Sequence, residues 1–266
     1  QWPIYADEIK HNKTKKQLIY KDAVLKIYDL PVLYFPKFFH PDPSVKRQSG
    51  LLQPEINSSN TLGSSLTLPY YKVISNNKDL TLNPTFFDGS MSMLTTEYRA
   101  INQSSKILAD VGFVNKYKSI TTNKKNNLSH YFVDIDHNLN LENYNSSDLK
   151  LSIRKVSMDT YLKIFDQQMT KSKLRPDDFD NLNSSIKLFL NNEDFNFESG
   201  IESYEDLQIK NGSDRYQYNL PYYNYDRLIS QNYFEGNISF GSNGNNYLSN
   251  TNKLETNITN NIPYNS

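Results

Sequence analysis

Apolar and polar residues alternate with period two along much of this 266-residue chain. In HYFVDIDHNLNL, residues 130–141, Tyr131, Val133, Ile135, Leu139 and Leu141 share one face, and Asp134, Asp136, Asn138 and Asn140 share the other. DLKLSIRK sets Leu149, Leu151 and Ile153 against Lys150, Ser152 and Arg154. SSIKLFLNN groups Ile186, Leu188 and Leu190, and KLETNITNNI groups Leu254, Ile258 and Ile262. Successive side chains of a strand point to opposite faces, so these stretches predict half-apolar β-strands. Helical spacing fits none of them as well.

The connectors sort by length. SNNKD (75–79), NQSSK (102–106), NYNSSD (143–148) and NNED (191–194) are short and rich in turn residues. Between them fall KSITTNKKNNLS (118–129), the stretch from Met158 to Leu182, and EDLQIKNGSD (205–214), with FDGS (87–90) as a tight exception. Near-alternation of short and long links predicts an up-and-down antiparallel sheet whose two ends differ. Outer-membrane barrels have short periplasmic turns and longer external loops. The spacing predicts roughly a dozen strands, more than a small soluble barrel uses.

The first 36 residues read differently. They give two or three strands around the HNKTKK turn and end in a run where strand formers and prolines coincide. Val32 to Phe35, Phe38 and Phe39 are strong strand formers, yet Pro31, Pro36, Pro41, Pro43 and Pro54 fall beside them, out of 11 prolines in all. Proline gives no N–H to a ladder and belongs at edges, strand starts and bulges. The reading is therefore a β-rich edge piece at 1–36, a proline-rich junction at 37–48, and a barrel from 49 to 266.

Composition narrows the choice. Lys+Arg and Asp+Glu both number 29, so net charge points to no nucleic-acid partner. Mean hydropathy is −0.70 and hydrophobic content 37%, low for a folded chain of this size. The 20 tyrosines and 14 phenylalanines argue against disorder. With no cysteine, there is neither a disulfide framework nor thiolate chemistry to read. The longest strictly apolar run, Val32–Phe35, is far too short for a membrane helix, but barrel strands need only alternate apolar positions. The opening QWPIYADEIK lacks a Met and a leader pattern, and NNIPYNS has no evident terminal element, so a fragment of a longer chain is expected.

Against that background, residues 31–99 resemble the LPS-assembly outer-membrane protein family (LptD, also called OstA or Imp). The resemblance rests on the Pro-aromatic-Pro strand end and on Lys46, Arg47, Ser49, Gly50 and Pro54. It continues with Pro69, Tyr70 and Tyr71; Asn77, Asp79, Thr81 and Pro84; and Glu97, Tyr98 and Arg99. The resemblance implies an all-β chain: the end of a periplasmic β-jellyroll, then antiparallel up-and-down strands of an incomplete transmembrane β-barrel. It implies a cell outer-membrane location with the N-terminal part in the periplasm. Implied partners are lipopolysaccharide, the outer-membrane lipid bilayer, a periplasmic LPS-transport bridge protein reached through a missing upstream jellyroll, and a lipoprotein plug. The implied task is to receive lipopolysaccharide and insert it into the outer leaflet through a lateral opening of the barrel. Two alternatives stay open: a generic porin or receptor barrel, and a soluble carbohydrate-binding β module.

Candidate site residues follow. Pro41, Pro43 and Pro54 would weaken a lateral seam, because each removes a donor from a ladder that must open. Phe35, Phe38 and Phe39 would give acyl chains an apolar path. Lys46 and Arg47 would either meet lipid phosphates or mark the aqueous boundary. His130 and His137 fall on opposite faces of one strand, whereas His130, Asp134 and Asp136 share a face that a polar barrel interior explains more simply than a metal. The Asp177–Asp178 and Glu202/Glu205 pairs read as solvated charge. No nucleophile, metal-hydrolase or phosphate-loop motif occurs, so neither an enzyme nor a cofactor is expected.

Overall fold

The computed structural model describes residues 4–27, 29–42, 44–45, 47–119, 125–210, 212–233, 236–249 and 253–265. Its first sheet comprises β1 (Ile4–Tyr5), β2 (Glu8–Asn12), β3 (Gln17–Ile27) and β4 (Leu30–Pro41). β1 and β2 pair with successive parts of β3, and β4 pairs with β3 along its whole length, all antiparallel. The proline-studded run is therefore one continuous strand. β4 pairs with β3 alone among the described residues, which is the edge setting proline tolerates.

Local irregularities absorb the prolines. The register shifts between Leu25 and Lys26, next to Pro31. Asp22, at φ 50°, lies between the register pairs Lys21–Lys37 and Ala23–Phe35, and so across from Pro36. Beyond that point the strict alternation switches sides. Phe35 and Phe38, three apart, come to one face with ring centroids 5.6 Å apart. Tyr34 and Phe39 are exposed.

The second sheet contains β5 (Gly50–Leu51), β6 (Glu55–Ser59), β7 (Gly63–Thr67), β8 (Tyr70–Ser75), β9 (Lys78–Phe87), β10 (Ser92–Ile101) and β11 (Ser105–Lys118). It continues through β12 (Lys125–Asn138), β13 (Ser146–Val156), β14 (Asn181–Asn192), β15 (Phe195–Asp206) and β16 (Tyr216–Tyr233). β17 (Gly236–Ser249), β18 (Lys253–Asn261) and β19 (Tyr264–Asn265) complete it. β5 with β6, β7 with β8, and β18 with β19 are halves of interrupted passes, so the sheet makes about a dozen crossings, each paired with its sequence neighbour. The sheet stays open among the described residues, with β6 at one end of the order and β18 at the other. The architecture is all-β and up-and-down, an incomplete barrel.

Register partners form rows across this wall. One row runs Ala100, Ile107, Ile135, Leu151, Ile186, Ile201. The adjacent row, on the other face, runs Arg99, Leu108, Asp134, Ser152, Ser185, Glu202. The apolar face is also the open one: Leu94, Phe113, Tyr131, Ile153, Ile186 and Ile201 are all exposed. A soluble sheet buries its apolar face; this one presents it.

The polar face carries the main cluster of buried side chains at its long-connector end. There the 157–180 connector folds back as a short helix, α1 (Tyr161–Ile164), and a 3-10 turn over Asp166–Met169. Tyr161, Leu162, Phe165 and Met169 pack with Val114, Leu128, Phe132 and Val156. The connector's length in the sequence predicts only a long link between strands. Its apolar residues recur at helical spacing, and the wall supplies a partner surface that an isolated turn of helix lacks. Burying Leu162 and Phe165 stabilises the packed connector by about 1.5–3 kcal/mol each.

Candidate functional site

An apolar cavity of about 700 Å³ opens where the first sheet meets the first pass of the second. Leu25, Phe35 and Phe38 line it from the first sheet; Leu51, Leu52 and Pro54 line it from the wall. Its size is that of a site for a small molecule or lipid chain. The wall is interrupted there. Gly50 and Leu51 pair with Tyr71 and Tyr70, pairing resumes only at Glu55 with Thr67, and the register has moved by one residue. Pro54 and Pro69 sit in these breaks, and Pro84 lies in the next strand, its carbonyl accepting from the Leu68 N–H at 3.0 Å. Leu52 N–H to the Pro69 carbonyl, at 2.8 Å, bridges the gap.

The sequence-predicted residues divide. Phe35, Phe38 and Pro54 come together at this cavity. Phe39 is 40% exposed and is not among the cavity's lining residues. Pro41 ends β4. Pro43 and Lys46 lie outside the described residues. Arg47 does not project freely: its guanidinium donates to Tyr71 Oη at 2.9 Å, to the Asn76 carbonyl, and to Asp79 Oδ2. With three nitrogens in use, lysine could not replace it.

Asp79 gathers further partners. Arg99 Nε donates to its Oδ1 at 2.7 Å and Tyr71 Oη to its Oδ2 at 3.1 Å, while Glu97 lies 3.5 Å from Arg99. Asp79 is 6% exposed, so this carboxylate is buried between two cations. The neighbouring Ser49 hydroxyl accepts the Val73 N–H at 2.8 Å, and Gly50 is buried opposite Tyr71. Arg47, Ser49 and Gly50 thus staple the junction to the start of the wall. Further back, Asp42 Oδ1 accepts the Ser44 N–H at 2.8 Å and Asp42 Oδ2 lies 2.7 Å from His11 Nε2. Hydrogen bonding from Ser44, then from His11, holds the Asp42 carboxyl below its usual range.

Other charges are also paired. Glu202 and Glu205, read from sequence as solvated, are buried at 9% and 5% exposure. Lys187 meets Glu202 at 2.6 Å, while Lys155 and Arg215 meet Glu205 at 2.7 and 2.8 Å. Covering by neighbouring strands and connectors removes them from solvent, and each cation compensates a carboxylate. His130 lies on the polar face with Asp134, but its nitrogens face Tyr161 Oη at 2.9 Å and Asp110 Oδ1 at 3.2 Å. Asp134 is held instead by Arg154 at 2.7 Å. The imidazole lies against Gly112, where a Cβ would fall 2.3 Å from the ring. Among the described residues no group of His, Asp and Glu is arranged for a metal ion.

An antiparallel wall, polar on the covered face and apolar on the open one, is that of an incomplete β-barrel of the membrane type, here joined to a small accessory sheet. No family model matches the chain. LPS-assembly protein LptD of Pseudoalteromonas translucida is 37% identical over 115 residues, 43% of this chain and 15% of that protein. LptD of Idiomarina loihiensis is 30% identical over 164 residues, 62% and 21% of the two chains, and that of Cupriavidus necator 28% over 176 residues, 65% and 20%. The matched stretch therefore spans between 15% and 21% of these relatives' lengths. Up to 65% of this chain is thus similar to a segment of LptD proteins.

Proposed function

We propose that this chain is the part of an LPS-assembly protein that carries the end of a periplasmic β-jellyroll and the first strands of an outer-membrane barrel. Residues 1–36 belong to the jellyroll, 37–48 to the junction and 49–266 to the barrel. Lipopolysaccharide arrives from a periplasmic bridge protein. Its acyl chains pass the junction cavity beside Phe35 and Phe38 into the membrane, while its sugar follows the polar face within the barrel. The seam lies at the first pass, and a lipoprotein plug occupies the lumen of the complete barrel. No covalent catalysis is involved.

The apolar cavity at the broken first pass is the observation that carries this reading. Exposing unpaired backbone groups to lipid costs several kcal/mol each. A pass in which Pro54 lacks an N–H and pairing lapses at Gln53 and Pro54 has fewer bonds to lose. The exposed apolar rows of the wall give lipid a surface, and the polar rows give sugar one.

A photo-crosslinking residue at Phe38, in the complete protein in growing cells, is expected to capture lipopolysaccharide. The same residue at Phe39, one position along the strand, is expected to capture several-fold less. Equal capture at both positions, or capture at neither, would remove the cavity from the lipid path.

A further inference from the structure

We infer that the long-connector rim of the wall holds an anion site, formed by Lys116, Lys118 and Lys125, that takes phosphate groups of lipid headgroups. Three hairpins meet there around a cavity of about 240 Å³: the β6–β7 turn brings Thr61 and Leu62, the β9–β10 turn Asp88 and Ser90, and the β11–β12 hairpin the three lysines. Lys118 and Lys125 are direct register partners in that hairpin. Both are exposed. Like charges directly opposite on neighbouring strands repel, and sequences generally avoid the pairing.

Among the described residues Lys116, Lys118 and Lys125 form no ion pair. Lys125 Nζ donates to the Ser90 hydroxyl at 3.3 Å. The carboxylate at the cavity, Asp88, is turned toward the next hairpin, where its Oδ2 accepts the Ser64 N–H at 2.8 Å. The backbone also departs from regular pairing. The register shifts between Val114 and Tyr117, and Lys116 within the shift adopts φ 60°, a conformation L residues enter at a cost. Bulges of this kind re-aim side chains. A bound phosphate would turn a repelling pair into two charge-assisted hydrogen-bond donors, with the Ser90 and Thr61 hydroxyls beside them.

The choice of a lipid headgroup rests on the membrane orientation proposed above. With short turns in the periplasm, this rim lies at the headgroups of the outer leaflet, and clustered cations attract anionic lipid headgroups as they do at other membrane surfaces. The phosphate chemistry itself does not depend on that orientation.

The test uses the complete protein in detergent and follows its thermal midpoint with lipid A carrying both phosphates, dephosphorylated lipid A, or inorganic phosphate. The phosphorylated lipid is expected to raise the midpoint by about 3 °C more than the dephosphorylated one, and Lys118→Gln/Lys125→Gln to abolish that difference. Since both lipids share acyl chains, binding at the junction cavity cancels, and export need not occur. An equal, lysine-dependent rise with inorganic phosphate would support the anion site and assign it to a soluble source. Without ligand, Lys118→Gln alone is expected to match or exceed the wild-type midpoint, because repulsion is relieved. A phosphate-dependent rise that survives in the double variant, no rise with any probe, or a lower ligand-free midpoint in Lys118→Gln overturns the proposal.

Discussion

Asp79→Ala is expected to destabilise the barrel by about 3 kcal/mol and to release the junction from the wall. The variant leaves Arg47 and Arg99 facing each other without the carboxylate that both now contact. Removing one partner of a buried ion pair is costly because the remaining charge stays poorly solvated. The Arg47 and Arg99 side chains are 32% and 35% exposed, which moderates the effect. Arg47 is also the tether of the linking segment, so protease cleavage between Asp42 and Ser49 should accelerate in the folded variant. Denaturant unfolding in detergent measures the first effect and limited proteolysis the second. A midpoint within error of wild type, with unchanged cleavage, would show that the cluster is ornamental.

Tyr161→Ala is expected to cost about 3–5 kcal/mol of the packing between the folded connector and the wall. Tyr161 is fully buried, packs on Phe165 with ring centroids 4.8 Å apart, and meets His130 through its hydroxyl. Truncation leaves a cavity and strips His130 Nδ1 of its partner. Tyr161→Phe keeps the ring and should cost only about 1–2 kcal/mol, from the orphaned imidazole nitrogen. Hydrogen exchange at 157–180 separates the two. Fast exchange should appear in the alanine variant, with near-native protection in the phenylalanine variant. Protection that survives Tyr161→Ala would mean that the connector is held by its ion pairs, such as Lys163–Asp180 and Lys171–Glu55, rather than by its buried face.

The wall was legible because several of its strands, β13 among them, carry clear period-two alternation. Leu149, Leu151 and Ile153 fall on the open face, and Lys150 and Ser152 on the other, as their spacing implies. The junction was only half legible. A proline-rich run can be an interrupted strand or an edge strand, and only pairing with β3 separates the two. The side switch at Pro36 depends on the φ 50° conformation of Asp22, a residue in another strand, so spacing along β4 alone could not separate Phe38 from Phe39.

The Asp79 cluster escaped for a similar reason. Arg47, Tyr71, Asp79 and Arg99 come from a linker and three strands, and no local pattern unites them. The packed connector did leave a trace, in the helical spacing of Tyr161, Leu162, Phe165 and Met169 within a stretch otherwise read by length alone.

Spin labels placed singly at residues 149 to 153 of β13, in the complete protein reconstituted in lipid, report directly which side of the wall meets the bilayer. Labels at Leu149, Leu151 and Ile153 should collide preferentially with oxygen dissolved in the acyl region. Labels at Lys150 and Ser152 should respond to a water-soluble nickel chelate, so that the ratio oscillates with period two. A chelate response as strong at 149, 151 and 153 as at 150 and 152 would place both faces in water, contradicting a lipid-facing wall.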